Sequence, residues 1–301
     1  MSRNVNPATF SLLLGLCPVP VSCTVPRQFL IQTREDRGRV NAVIQARRWR
    51  FALRNLILKD LRVRYRNMAL GLLWSVINPL VMLGVLTFIF TYVYPSPGQR
   101  VFPVFVLLGL VVFNLFSRTV ITATVSVQDN ASLVKKVAFP RQLIPFSVIL
   151  SQMIDGIIMI LLLMSLVLLF RVPVTLSFLW LLVIYAVEFI FIVGVSMITS
   201  ALNVYYRDMR YLVESGMTLL FWLTPVFYPL DLIRRNLPAF VYHAYLLNPL
   251  AGCVDASRRV VLEAMPPDPV IFGVAAGVAA MTAAVGVALF GALQKRFADF
   301  T

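Results

Sequence analysis

The chain has 301 residues, of which 59% are hydrophobic and only 13% are charged, and its formal net charge is +14. A soluble fold of this size has too little interior for so much apolar surface, so the composition excludes a soluble globular protein and intrinsic disorder, and predicts a multi-spanning membrane protein. Arg and Lys are concentrated outside the apolar stretches, where a membrane protein meets anionic lipid or cytosol, which argues against nucleic-acid binding.

The first predicted segment, residues 1–43, is interpreted as a leader. Residues 9–23 resemble the core of a short signal peptide, but only Arg3 precedes them. We expect either a disordered leader or a translation start placed too far upstream. Residues 44–69 then mix basic side chains with apolar ones at spacings of three and four, which predicts a cytosolic amphipathic helix in the headgroup layer.

Residues 70–294 are predicted to form an all-α domain with six transmembrane helices, because a span needs about 20 apolar residues. A shorter stretch, residues 236–254, is broken by Pro238 and Pro249 and is predicted to form short re-entrant helices between spans five and six, with a seventh span as the alternative. The predicted spans are Leu70–Tyr94, Val101–Val127, Gln142–Phe170, Val172–Tyr206, Tyr211–Leu230 and Pro269–Gln294.

Orientation follows from the distribution of basic residues. Most of the 27 Lys and Arg residues fall in the N-terminal segment, in two loops and in the tail, residues 295–301, which an even number of spans places on one side. The positive-inside bias predicts that this side is the cytosol, so both termini of this multi-pass protein are expected there.

Ionisable residues inside the predicted spans are few. Arg118, Asp155 and Glu188 are expected to pair with each other or with water in a cavity, whereas a role in transport is the alternative. The chain has one His and no glycine-rich phosphate loop, so we expect neither catalysis nor a cofactor on this chain; if ATP drives the protein, another polypeptide must bind it.

Aromatic residues are dense between positions 205 and 245. Membrane-interface belts are one explanation for them, and because aromatic faces also stack on sugar rings, a substrate conduit or an outer gate is the other. Small residues in the last span, including Gly273 and Gly277, instead predict close helix packing. The predicted conduit or gate residues are Tyr92, Tyr94, Phe113, Phe116, Phe221, Trp222, Phe227, Tyr228, Tyr242 and Tyr245.

Five motifs follow one another along the chain: Lys59–Pro79, Asn130–Pro145, Asn203–Arg210, Phe221–Tyr228 and Asn248-Pro249. In this order they resemble the membrane subunit of type-2 ABC exporters, in the branch that exports O-antigen, teichoic acid and capsular polysaccharides, and the resemblance covers roughly residues 45–300. It implies six spans with short re-entrant helices in the bacterial plasma (inner) membrane, and a homodimer with the channel at its interface. It also implies two copies of a separate cytosolic ABC ATPase, which binds ATP and Mg, and a polyprenyl-diphosphate-linked glycan as substrate.

The loop from Asp129 to Arg141 is the predicted contact with the ATPase, because it alone among the internal cytosolic loops has room for a helix. Phe139 is predicted to anchor it in a groove of the partner, whereas a basic turn held by lipid headgroups is the alternative. Arg207 and Asp208 are predicted to fix the turn after span four or to contact the ATPase. The loop residues assigned to coupling are Leu133, Val134, Lys135, Lys136, Phe139, Pro140 and Arg141.

The sequence leaves two other classes of function open. A proton-coupled secondary transporter would use Asp155 or Glu188 as the proton carrier and show two similar halves, which we do not find. A polytopic lipid-linked glycan transferase would need an acidic or His-bearing loop, whereas Asp208, Glu214 and Asp255 are scattered.

Overall fold

The computed structural model describes residues 49–66, 73–93, 101–136 and 140–297, which belong to the compact unit Trp49–Thr301. The predicted leader, Tyr94, Phe139 and most of the tail lie outside the described residues, as do the side chains of Val134, Lys135 and Lys136. Every regular element within the described ranges is helical, as the composition predicts.

The elements follow one another through short connections. We number the α-helices in chain order, and α1 covers residues 49–65 within the predicted amphipathic segment. The others are α2 (Leu73–Phe88, continued by a π-helical turn, Ile89–Val93), α3 (Phe102–Asp129), α4 (Ala131–Lys136), α5 (Leu143–Leu169), α6 (Trp180–Tyr205, after a 3₁₀ turn, Leu176–Leu179), α7 (Met209–Leu223), α8 (Leu230–Asn236), α9 (Ala239–Leu246), α10 (Pro249–Leu262) and α11 (Pro269–Leu293, ending in a 3₁₀ turn, Gln294–Arg296).

Four helices in the described part of the chain are long and apolar enough to cross a membrane. They begin and end close to the bounds predicted for spans two, three, four and six, and they cover Phe102–Asp129, Leu143–Leu169, Leu176–Tyr205 and Pro269–Leu293. The first and fifth predicted spans correspond to the shorter helices α2 and α7, of 16 and 15 residues.

The fifth predicted span differs most from the structure. It was expected to reach Leu230, but α7 ends at Leu223, and Thr224 is extended at ψ 138°. Pro225 is the physical reason, because a proline disfavours helical geometry in the residue before it. The aromatic residues that follow therefore lie in a turn rather than on a helix face.

Three helices lie between α7 and α11. The two short ones, α8 and α9, meet at Pro238, so residues 236–254 are not one continuous span. The third, α10, begins at Pro249, whose missing N–H suits a first helical position, and the Asn248 side chain accepts the N–H of Leu250 at 3.1 Å.

The core is built around α3, whose apolar window is 83% buried, and α3 packs against α5, α6 and α10. Among the described helices, α6 and α11 make the most extensive contact. There Gly286 meets the backbone of Gly194, and a Cβ on Gly194 would lie 2.6 Å from the backbone nitrogen of Ala283. Small residues therefore do mediate packing, but the expectation for Gly273 and Gly277 is wrong, since a Cβ on either would meet nothing within 4 Å.

The final turn of α11 is tied to two other parts of the fold. The Tyr205 hydroxyl, at the end of α6, donates to the carbonyl oxygen of Leu293 at 2.9 Å. Arg141, just before α5, donates to the carbonyl oxygen of Gln294. Carbonyls at a helix end lack partners within the helix, so these two side chains complete the end of α11.

Candidate functional site

The two ends of the helical unit carry different chemistry. We call the end with Asn130 and Leu143 the α4 end, and the opposite end, with Phe102 and Leu169, the α8 end. Polar side chains from α1 lie against α3 and α5 toward the α4 end, whereas aromatic side chains cluster around α7–α10 at the α8 end.

At the α4 end, α1 is joined to α5 by a polar network. Arg64 Nη1 donates to Asp155 Oδ2 at 2.6 Å and to Gln152 Oε1 at 3.0 Å, and Nη2 donates to Ser151 Oγ at 3.3 Å. The Tyr65 hydroxyl donates to the other oxygen of Asp155. The network therefore fixes the last turn of α1 against the middle of α5.

The same network extends to α3 and along α1. Gln152 Nε2 donates to Thr122 Oγ1 at 2.9 Å, and Lys59 donates to the Asn130 side chain at the end of α3. Asp60 accepts a long hydrogen bond from Ser147 Oγ at 3.5 Å. Burial raises the pKa of Asp60 above its ordinary value, although Lys59, Arg64 and Ser147 act in the opposite direction.

The three ionisable residues of the predicted spans do not pair with one another as expected. Asp155 pairs with Arg64 of α1, and both side chains are largely buried, at 12% and 20% exposure. Arg118 lines a narrow cavity with Asp155, but it has no ion pair among the described residues. Glu188 is fully buried on α6, where neither carboxylate oxygen meets a hydrogen-bond partner within the described part of the chain.

At the α8 end, six of the ten predicted conduit residues form one aromatic cluster. Phe113 packs edge-on to Phe221 at 5.1 Å between ring centroids. The Tyr228 hydroxyl donates to the carbonyl oxygen of Trp222 at 3.0 Å and lies 3.2 Å from the hydroxyl of Tyr245. The members are Phe113, Phe221, Trp222, Phe227, Tyr228 and Tyr245.

The other predicted conduit residues lie elsewhere or at its border. Tyr242 packs with Tyr228 and Tyr245 on a small apolar cluster of α8 and α9. Tyr92 is 75% exposed at the end of the α2 segment. Phe116 is only 1% exposed and stacks on Phe191 of α6 at 5.0 Å, so it is a core residue of this chain.

Arg258 is a buried residue of this site that the sequence analysis did not identify. Its guanidinium is buried over the Phe105 ring, 3.4 Å from the centroid. It donates to the carbonyl oxygens of Phe105, Val226 and Tyr228 at 3.3, 2.6 and 3.0 Å. Arg258 therefore holds the turn after α7, which carries part of the aromatic cluster, against the start of α3. Helical spacing from the apolar Val254 could have indicated its burial.

The backbone around this turn is closely packed as well. A Cβ on Gly109 of α3 would lie 2.8 Å from the carbonyl oxygen of Val226, so a larger residue there would displace the turn. Thr224 and Val226 are both fully buried. The aromatic residues Phe227 and Tyr228 thus extend from a turn that is fixed on both sides.

The residues predicted to couple to an ATPase are only partly described. α4 forms a helix inside the predicted loop, and Leu133 on it is half-buried. Pro140 is non-helical, and Arg141 contacts the end of α11. Arg207 and Asp208 are exposed, and Asp208 makes no side-chain cap for α7, so the turn there rests on the hydrogen bond from the Met209 N–H to the Tyr206 carbonyl, at 3.0 Å.

Comparison with known proteins places these features in a family. The family model described as ABC-2 type transporter matches residues 52–262. The chain is 30% identical over 242 residues to the O-antigen export system permease protein RfbA of Klebsiella pneumoniae, covering 80% of this chain and 91% of that protein.

Two further relatives cover similar lengths. The O-antigen export system permease protein RfbA of Myxococcus xanthus is 27% identical over 260 residues, which cover 86% of this chain and 99% of that protein. The polysialic acid transport protein KpsM of Escherichia coli is 26% identical over 241 residues, which cover 78% and 90%.

Proposed function

Since this chain belongs to the ABC-2 type transporter family, we propose that it is the membrane-spanning subunit of an ATP-driven exporter that moves a lipid-linked polysaccharide from the cytosol to the outer face of the plasma membrane. The observation that carries the proposal is the similarity, over about four-fifths of the chain, to permeases named for O-antigen export and polysialic acid transport. The family consists of permeases, so ATP hydrolysis belongs to a separate ABC ATPase.

The proposed topology has six spans, with both termini in the cytosol. α2 and its π-helical turn together form a 21-residue helix, Leu73–Val93, which at about 1.5 Å per residue matches a hydrocarbon core of about 30 Å. α7, with 15 residues, is shorter than the core, and the buried turn and α8 continue from it. In this topology the α4 end faces the cytosol, and α1 begins in the cytosolic headgroup layer, while Arg64 in its last turn reaches Asp155 on α5.

The proposed conduit passes the aromatic cluster at the α8 end. Trp222 is 63% exposed, so its ring is available to a substrate or to a second copy of the chain. Aromatic faces contact sugar rings with modest desolvation, which suits a hydroxyl-rich polymer. We place the channel between two copies of the chain, where a polyprenyl-diphosphate-linked glycan would pass.

The proposed coupling element is the loop that contains α4. Two copies of the ATPase would bind the homodimer there, with Phe139 as the apolar anchor and Arg207 and Asp208 nearby. Phe139→Ala is expected to leave the permease inserted and dimeric while the ATPase no longer co-purifies. Normal co-purification together with normal export would remove this loop from the coupling path.

Export itself is tested by deleting the gene for this chain and staining cells for surface polysaccharide. We expect the surface signal to disappear and the glycan to accumulate inside the cell. Returning the gene is expected to reverse both effects only when the ATPase can hydrolyse ATP. Export that continues with an inactive ATPase but stops when the proton gradient is collapsed would instead identify a secondary transporter. An unchanged surface polysaccharide in the deletion strain would overturn the proposal.

A further inference from the structure

A cavity of about 670 Å³ opens at the α8 end, and its lining includes Pro229 and Leu230, next to the aromatic cluster. Its volume falls within the range of about 300–1,000 Å³ that is usual for small-ligand sites. Its polar wall contains three arginines and three acids from three separate segments: Arg171, Asp231, Asp255, Arg258, Arg259 and Glu263. The formal charges of this wall cancel, so the cavity has no excess charge to attract an ion of either sign.

Two of the three arginines form hydrogen bonds to described residues of the chain, whereas the three carboxylates do not. Arg258 is committed to three backbone carbonyls, and Arg259 donates to Asp268 at 3.2 Å. Among the described residues, the side chains of Asp231, Asp255 and Glu263 form no hydrogen bond and no ion pair. The wall of the cavity therefore offers carboxylate acceptors that lack donors.

Arg171 adopts a backbone conformation that is unfavourable for any residue other than glycine. It follows α5 with φ 52°, in the left-handed region, and the Val172 N–H donates to the Val167 carbonyl at 3.0 Å, as in a helix end that normally carries glycine. A non-glycine residue kept in a strained backbone conformation at the rim of a cavity points to a role for its side chain. Arg171 is exposed there and adds guanidinium donors to the opening.

We infer that this cavity binds a short, uncharged segment of the exported glycan through its hydroxyl groups, and this inference rests on the proposed export function. Sugar hydroxyls donate to the carboxylates of Asp255 and Glu263 and accept from Arg171, and hydrogen bonds to ionised groups are the stronger ones. The ring of Phe170, 43% exposed, provides an apolar face for a sugar ring. The net charge of the wall does not attract an anionic segment, and two of the three arginines already have partners. Such a segment would therefore meet three carboxylates that have no partner among the described residues, and only Arg171 as an available cation.

Binding is measured with the purified full-length permease in lipid nanodiscs. The probe is a set of fluorescently labelled neutral oligosaccharides, released by mild acid from the surface polysaccharide of the cells that carry this exporter. We expect saturable binding to the wild type, weakened at least about tenfold by Asp255→Asn and by Arg171→Gly. Glu214→Gln is the matched control, because it also removes one carboxylate charge but lies on α7, outside the cavity.

Arg171→Gly separates a binding role from a structural one. Glycine adopts the left-handed conformation without a penalty, so this variant is expected to melt at a higher temperature than the wild type while it binds less oligosaccharide. If both variants bind like the wild type, or if the wild type binds none of the probe, the cavity is not a glycan site. Equal binding of a sialylated oligosaccharide would also overturn the inference.

The export assay on the same strains judges the proposed function independently. Loss of surface polysaccharide on deletion of the gene, combined with no binding at the cavity, would leave the export function standing and remove only this site. Surface polysaccharide that is unchanged by the deletion would remove the export function itself.

Discussion

Arg64 and Asp155 lie 91 residues apart in the chain and form a 2.6 Å ion pair that joins α1 to α5. Asp155 also accepts from Tyr65, so the end of α1 contributes two donors to one carboxylate. A carboxylate in the middle of an apolar helix is costly unless it is paired, and here the partner comes from outside the predicted spans. A movement of α1 is thereby linked to α5.

Removing Arg64 is expected to destabilise the permease. Arg64→Ala leaves the largely buried Asp155 carboxylate with fewer donors, at a cost of about 2–3 kcal/mol in the free energy of unfolding. Arg62→Ala is the control, since it removes the same charge from an exposed position on α1. Thermal unfolding in detergent distinguishes the two, and equal melting temperatures for them would show that the pair contributes little.

Two glycines of α11 are expected to respond in opposite directions to the same substitution. Gly286→Ala forces a Cβ into the backbone of α6 and is expected to lower the free energy of unfolding by about 3 kcal/mol. Gly277→Ala adds its Cβ where nothing lies within 4 Å, and because alanine favours a helix it is expected to stabilise by up to about 1 kcal/mol. Melting temperatures that shift in the same direction for both would contradict this packing.

Arg258 is expected to be irreplaceable by lysine. Lysine cannot donate to three carbonyls in the geometry of a guanidinium, so Arg258→Lys leaves buried carbonyls without donors and costs about 2–4 kcal/mol. Arg259→Lys, one position along, gives up only a half-exposed contact with Asp268 and serves as the control. The measurement is the protease sensitivity of the turn after α7. If the Arg258 variant resists protease as well as the control does, Arg258 does not hold this turn against α3.

The pH dependence of stability contains a contribution from Asp60. Its pKa in the folded protein is raised above the ordinary value of 3.8 by burial, so this group stabilises the fold most when it is protonated. That contribution is lost as the pH rises through the folded-state pKa. Asp60→Asn is therefore expected to be more stable than the wild type at neutral pH, with the difference vanishing near pH 4. Asp208→Asn serves as the control, since it removes one carboxylate charge from an exposed position.

Trp222 is expected to matter for export more than for folding. It is 63% exposed, so Trp222→Ala costs about 1 kcal/mol at most through its contacts with Phe221 and Phe227. Export of surface polysaccharide is expected to fall several-fold. Trp180→Ala, at an exposed position that begins α6, is the control. Wild-type export by a stably inserted Trp222 variant would exclude the ring from the conduit.

The sequence predicted the long helices well because their information is local. Length and hydropathy alone locate α3, α5, α6 and α11, and the family assignment confirms the resemblance seen in the motifs. Proline positions indicated the break inside residues 236–254. The same rule could have placed the end of α7 at Leu223, because Thr224 precedes Pro225 and a residue before proline is disfavoured in a helix.

The contacts of the candidate site could not be predicted in the same way. The partner of Asp155 is 91 residues away, and that of Arg258 at Phe105 is 153 residues away, so neither follows from spacing along one helix. Gly194 and Gly286 face each other only because α6 and α11 cross at those positions. These contacts depend on how the helices pack in three dimensions. Composition and periodicity do not contain that information.

The end of α11 bears on how the orientation of this chain can be measured. Because Tyr205 and Arg141 hold its final carbonyls, a reporter fused beyond Phe297 would be attached to a fixed point of the fold. A fusion made before Leu293 would remove both attachment points and report on a disturbed helix. Fusions on either side of this boundary are therefore expected to disagree, and only the longer ones give the side of the membrane on which the intact helix ends.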